Sequence, residues 1–179
     1  MKKELEKKLK CAFPLLYRDM WDSSPHRSLM CFGLECADGW FQIIWDLSEK
    51  LEKLILNIAE TCSVCGNTED NHDYGQDGVV KFCHDKTDKL QKFSPWSSDY
   101  LPAVSQVKEK YGTLRFYMSH SSDEMENLIS EAETKSETTC EECGKPGNLS
   151  GDYWIKVRCK PCLKFEQESD DKRFVKSNN

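Results

Sequence analysis

The feature that most restricts this chain is a pair of cysteine pairs. Cys140-Glu-Glu-Cys143 is followed, after fifteen residues that begin with Gly144, by Cys159-Lys-Pro-Cys162. Two residues between cysteines let a tight turn aim both sulfurs at one ion, and two such turns supply four thiolates at a tetrahedral centre with Zn–S near 2.3 Å. Gly144 stands where a knuckle turns back, a position that favours φ > 0. With four protein ligands no coordination position is left for water or substrate, so the spacing predicts a structural zinc site. Ten cysteines in 179 residues is about one in eighteen, short of the ~8–10% of a pure disulfide scaffold. The N-terminus Met1-Lys-Lys-Glu-Leu-Glu-Lys-Lys8 has a basic start but no uninterrupted apolar stretch, so a signal peptide is not expected. Reduced cytosolic thiols then read as metal ligands.

A second C-x2-C-G turn, Cys62-Ser-Val-Cys65-Gly66, precedes Cys83-His84 across a polar loop. It predicts a second zinc held by Cys62, Cys65 and Cys83, with His84 or His72 as fourth ligand. Cys11, Cys31 and Cys36 lack paired spacing and are expected in the core as small hydrophobes.

Around these turns the hydrophobic pattern builds helices and one hairpin. Residues 1–20 predict a short helix using Leu5, Leu9 and Ala12 and ending before Pro14. Asp38 is the expected cap of a helix through 39–60, whose Trp40, Ile43, Ile44, Leu47, Leu51, Leu54, Ile55 and Ile58 form one apolar stripe. Glu49, Lys50, Glu52 and Lys53 are expected mainly on the opposite face. Ala103–Lys110 and Thr113–Met118 read as strands joined at Tyr111-Gly112. Ser121-Ser-Asp-Glu124 reads as a capping box for a helix using Met125, Leu128, Ile129 and Ala132. A strand over 153–157, a short helix over 163–168 and a frayed tail over 169–179 complete the prediction.

The expected fold is therefore α+β: amphipathic helices on a small antiparallel hairpin, with zinc-ribbon or treble-clef-like knuckles. Residues 1–137 form the helix-and-hairpin core with the 62–84 knuckle inserted, and 138–168 the C-terminal metal module.

Charge and composition exclude several classes. No apolar run reaches the ~18–20 residues of a membrane-spanning helix. A net charge of −6 argues against a strongly basic nucleic-acid glove. A local basic face is still legible in Lys108, Lys110, Arg115, Lys156, Arg158, Lys160 and Lys164, with Tyr111, Tyr117 and Trp154 as stacking surfaces. The histidines His26, His72, His84 and His120 are scattered, with no phosphate loop and no H-E-x-x-H. Glu35 and Asp38 are the one neighbouring carboxylate pair suggestive of acid–base work, and capping explains Asp38 as well. No catalytic residue is expected.

The segments Phe32-Gly-Leu-Glu-Cys-Ala-Asp-Gly-Trp-Phe41 and Gln106-Val-Lys-Glu-Lys-Tyr-Gly-Thr-Leu-Arg-Phe-Tyr117, then Glu131-Ala-Glu133 and Cys140-Glu-Glu-Cys143-Gly144, resemble a family of small uncharacterised proteins of tailed bacteriophages and prophages. The resemblance spans roughly residues 15–162, and the Cys62–His84 knuckle is an addition to its simplest pattern. It implies a phage accessory protein in bacterial cytoplasm and assigns no catalytic residue. Such proteins often act by binding, so the expectation is a zinc-stabilised scaffold docking on a host or phage protein, an inhibitor of host defence among the sub-cases. Nucleic-acid binding is the alternative; a nuclease or a nucleotide-signal binder stands behind it.

Overall fold

A computed structural model describes residues 1–21, 24–60, 72–74, 81–83, 92–93, 101–151 and 154–177, with backbone alone at 59–60, 72–74, 81–83, 92–93 and 169–177. The fold is α+β, as expected.

Helix α1 (Lys3–Ala12) buries Leu9 and, unexpectedly, Glu6. A carboxylate is tolerated inside because donors surround it. Glu6 Oε1 accepts the Leu34 N–H at 2.8 Å, and Oε2 receives the Lys3 ammonium at 2.9 Å. Gly33, at φ 81°, passes so near that a Cβ there would lie 2.5 Å from Glu6 Oε1. The α-amine of Met1 donates to the Leu34 and Cys36 carbonyls. Cys36 is buried, but Cys31 is half-buried and Cys11 exposed, so only one of the three behaves as core. Burial pushes the Cys36 thiol up to about 12.

Helix α2 (Phe41–Glu60) is the spine, entered through a single 3-10 turn at Asp38–Trp40. Trp40, Ile43, Ile44, Leu47, Leu51 and Ile55 are buried along the predicted stripe, while Ile58 is exposed. Two expectations are corrected. Asp38 caps nothing: Oδ1 accepts the Lys2 backbone N–H at 2.8 Å and Oδ2 pairs with its ammonium at 2.9 Å. Glu52 lies on the buried side, taking the N–H groups of Leu15 and Leu16 at 3.0 and 2.8 Å. Those are free donors of a turn, and satisfying them offsets the desolvation of the carboxylate.

Strands β1 (His72–Tyr74), β2 (Lys81–Cys83) and β3 (Lys92–Phe93) form one antiparallel sheet in that order, with His72 opposite Cys83 in register. Strands β4 (Val104–Lys110) and β5 (Thr113–Met118) form the predicted hairpin. Tyr111 at φ 53° and Gly112 at φ 81° give the two consecutive left-handed residues whose twist matches a two-residue hairpin. Val104, Val107, Leu114 and Phe116 turn into the core.

Both hairpin edges are closed, which removes a template for edge-to-edge association. On β4, Glu35 donates to the Val107 carbonyl at 2.9 Å and accepts from the Glu109 N–H at 3.0 Å. On β5, the Leu114 N–H donates to Ser136 Oγ at 2.9 Å and the Phe116 N–H to Glu133 Oε1 at 3.1 Å. Ser136 and Glu133 belong to helix α3 (Asp123–Ser136), whose Met125, Ile129 and Ala132 pack inward. Its cap is Ser122, one residue later than predicted, accepting the Met125 N–H at 3.3 Å.

Strands β6 (Asn148–Ser150) and β7 (Lys156–Arg158) form a second short hairpin, and helix α4 runs from Lys160 to Ser177. The predicted strand thus starts three residues later, and helix replaces the expected frayed tail. Among the described residues, no helix is long and apolar enough to cross a membrane.

Candidate metal centre

Cys140 and Cys143 sit on a tight turn, Cys159 between β7 and α4 and Cys162 in the first turn of α4. Knuckle, hairpin and then a helix carrying the last ligand is the order of a treble clef; a zinc ribbon would hold its second pair on another hairpin turn. The four sulfurs all lie within 4.8 Å of one another, with Cys143 Sγ and Cys159 Sγ at 3.5 Å. Tetrahedral coordination at a Zn–S distance of ~2.3 Å sets sulfurs about 3.8 Å apart. The donor set and spacing fit a soft divalent ion such as zinc.

The backbone is arranged around those sulfurs. Gly144, at φ 74°, returns its N–H to the Cys140 carbonyl at 2.9 Å. The Lys145 N–H points at the Cys143 sulfur and the Cys162 N–H at the Cys159 sulfur. Such donors hold ligand orientation and stabilise negative sulfur. The Cys162 N–H, helped by the neighbouring thiols, draws the Cys159 thiol down to about 7 against the opposing effect of burial. Cys162 is pushed up, by burial first and by the same thiols next. At Cys143 the Lys145 N–H pulls down, but burial and the Cys159 and Cys140 thiols outweigh it and the net shift is upward. Sulfurs this close accept one negative charge and resist a second. A divalent cation removes that resistance.

The knuckle is also the seat of α2. Glu141, between the two cysteines, is 5% exposed. Its Oε1 accepts the Ala37 N–H at 3.0 Å and its Oε2 pairs with Arg158 at 3.1 Å. Gly39 donates to the Glu141 carbonyl at 2.7 Å, and Trp40 Nε1 to the Thr139 carbonyl at 2.8 Å. At Gly39 a Cβ would lie 2.5 Å from both the Glu141 carbonyl oxygen and the Gly144 nitrogen. The backbone approach therefore requires glycine there. Sequence reasoning missed this seam. Its one signal was a glycine placed where a helix was about to begin.

The remaining candidates are separated. Cys62, Cys65 and His84 lie outside the described residues, as do the side chains of His72 and Cys83. Among the described residues, Cys31 and Cys36 join no metal-binding cluster. Glu35 receives Gln106 at 2.9 Å while Asp38 holds Lys2, so the two carboxylates serve different partners. The expected basic face loses its arginines. Arg158 is 4% exposed and bound by Glu141, Glu142 and Glu166, and Arg115 pairs with Glu133 at 3.1 Å. Lys108 lies 5.9 Å from the Tyr117 ring centroid and Lys110 5.4 Å from that of Tyr111. Lys160 is exposed, and Lys164 stands 3.9 Å from Glu168.

Two hairpins that touch carry exposed apolar side chains: a Cβ on Gly112 would lie 2.8 Å from Leu149 Cδ2 and 3.2 Å from Ile155 Cγ2. Leu149 is 57% exposed and Ile155 38%, and their neighbours along these hairpins, Tyr111 and Trp154, are 72% and 78% exposed.

No protein family, curated protein or solved structure matches the chain. The phage resemblance therefore stands on its quoted motifs alone.

Proposed function

We propose that the chain is a zinc-stapled accessory protein that acts by binding another protein, with the four-cysteine centre structural and the neighbouring apolar surface as the contact. The phage setting, a host or phage protein as partner and interference with host defence are the expectations that the motif resemblance contributes. The observation that carries the binding reading is the exposure of Tyr111, Leu149, Trp154 and Ile155 on two hairpins that meet at Gly112. Tyr and Trp in a small exposed apolar cluster are the side chains that dominate interface energetics, because each buries a large rigid surface on docking. Two aliphatic members favour protein over nucleic acid, since bases stack on aromatic faces and gain little from Leu or Ile. The engagement of Arg115 and Arg158 in ion pairs points the same way.

The test is a photo-crosslinking amino acid at position 154 or 111, with position 8 on the exposed side of α1 as control, in bacterial cells expressing the chain. A discrete protein adduct at 154 and 111 but not at 8 is the expected result. Adducts that disappear with nuclease transfer the surface to nucleic acid. Equal labelling at all three positions removes the binding reading.

A further inference from the structure

The four-cysteine centre is not enclosed evenly. Cys140 and Cys159 are buried and Cys162 is half-buried, but Cys143 is exposed. Cys143 lines a cavity of about 540 Å³ that it shares with Phe41 of α2 and Lys135 of α3. A small molecule in that cavity meets the Cys143 residue, whereas burial keeps it from Cys140 and Cys159. Cys143 Sγ also stands 3.5 Å from Cys159 Sγ, which belongs to the other cysteine pair. Oxidation of a cysteine follows its thiolate character and its exposure, and an oxidised cysteine beside a second thiol is resolved by it. Metal ligation keeps such sulfurs in the thiolate form, because a ligand must be deprotonated to bind.

We propose that Cys143 is the site of attack on hydrogen peroxide and Cys159 the resolving thiol, so that the centre is a staple released by oxidation. The inference rests on the structural-metal part of the function proposed above. The Cys143 sulfur attacks one peroxide oxygen: an S–O bond forms, the O–O bond breaks and the second oxygen leaves as hydroxide. The Cys159 sulfur, within the ~3–3.5 Å from which well-placed groups react, then attacks the Cys143 sulfenic sulfur. The S–S bond forms, the S–O bond breaks and a second hydroxide leaves. The two thiolates together lose two electrons, the peroxide gains two, and two protons from solvent convert the hydroxides to water. Cys140 and Cys162 remain, too few to hold an ion that needs four ligands at a tetrahedral centre. Peroxide is small and uncharged, so Asp38 and Glu142, which line the same cavity, do not repel it. Metal loss frees the segment that carries Leu149, Trp154 and Ile155, and the contact surface is switched off with it.

The test treats the full zinc-loaded chain with hydrogen peroxide. A chromogenic chelator follows zinc, dimedone traps sulfenic acid, and fragmentation of unreduced peptides locates disulfides, which separates this centre from Cys62, Cys65 and Cys83. Expected are zinc release in step with a Cys143–Cys159 disulfide, dimedone on Cys143, and recovery of the metal when the disulfide is reduced in the presence of zinc. Cys143→His keeps four ligands while removing the accessible sulfur. Its release should be about tenfold slower than the parent's, whereas Cys140→His, at a buried position, should keep the parent's rate. The linkage formed in the parent chain decides alone where a variant does not load metal. A first sulfenic acid or disulfide elsewhere in the centre, or equal slowing in the two variants, overturns the assignment. Zinc retained at peroxide concentrations that oxidise free glutathione overturns it as well and leaves the structural metal standing. A chain that carries no zinc as purified overturns both.

Discussion

The helix-and-hairpin core and the metal module are held together by different physics. The core is one apolar cluster running from Leu9 to Ala132 through Trp40, Leu51, Val107 and Leu114. No described residue of the module belongs to it. Among its described residues, the module's own buried apolar set is Cys140, Val157 and Cys159 beside a buried ion pair, Glu141–Arg158, while Leu149 and Trp154 face outward. Fully burying a side chain such as Val contributes ~1.5–3 kcal/mol, so a segment of some thirty residues with so little inside gains little from the hydrophobic effect. A metal held by the four thiolates would add a contribution of another kind, about 10–16 kcal/mol in small zinc domains, beside the hydrogen bonds of the seam with α2. The module's apolar side chains are thereby released from packing and stand at the surface.

The largest effect should come from removing the metal. Chelation, or Cys140→Ser, is expected to erase amide exchange protection across 138–168 while α2 and the β4–β5 hairpin keep theirs. Hydrogen-exchange mass spectrometry resolves the two. Simultaneous loss of protection in α2 would break the comparison, because the seam at Gly39, Trp40 and Glu141 would then bind both regions into one cooperative unit.

How much of this was legible beforehand follows the same division. Tetrahedral thiolate chemistry leaves its mark in spacing, so Cys140, Cys143, Cys159 and Cys162 were readable without a structure. The stripe of α2 and the Tyr111-Gly112 turn were readable because helical period and left-handed backbone restrict residue choice. The buried charges were not. Glu6, Glu52, Glu141 and Arg158 look like surface residues in any local window, and their burial is decided by distant partners: Leu34, Leu15, Ala37 and one another. The length of α4 was hidden for a related reason, since its sequence shows no apolar stripe to mark where it continues. Asp38 satisfied a local capping rule yet serves Lys2, a partner no window around it contains.

The next two effects sharpen the boundary from either side. Leu51→Ala removes a fully buried side chain from the core, with an expected loss of about 3 kcal/mol. Urea unfolding should show the loss, and chelator competition should show metal affinity unchanged within error. Gly39→Ala pushes a methyl into the Glu141 carbonyl and Gly144 nitrogen, which are backbone and yield little. About 2 kcal/mol is expected from such overpacking, and here both readouts should move, because the obstructed atoms belong to the knuckle. If Gly39→Ala moved stability alone, the seam would be a passive contact; if Leu51→Ala weakened the metal, the two regions would share their energetics more widely.

The smallest effect tests whether the N-terminal tie belongs to the core alone. Partial burial pushes the Asp38 carboxyl up, but the Lys2 N–H and ammonium outweigh it and hold it below the ordinary carboxylate range. A carboxyl lowered by folding binds fewer protons folded than unfolded, so its stabilising contribution is complete above its ordinary pKa of about 3.9 and disappears as pH falls through the lowered value. Asp38→Asn should therefore be slightly less stable than the parent at pH 7 and indistinguishable from it well below pH 4. Acid also protonates the thiols and releases metal, so the quantity to follow is the difference between the two proteins at each pH, in which the metal contribution cancels. That cancellation is itself the test. If the difference grew or changed sign between pH 7 and pH 5, where Asp38 stays ionised and thiolates take up protons, Asp38 would be energetically coupled to the knuckle through the 38–40 turn, and the line between core and module would have to be drawn N-terminal to that turn.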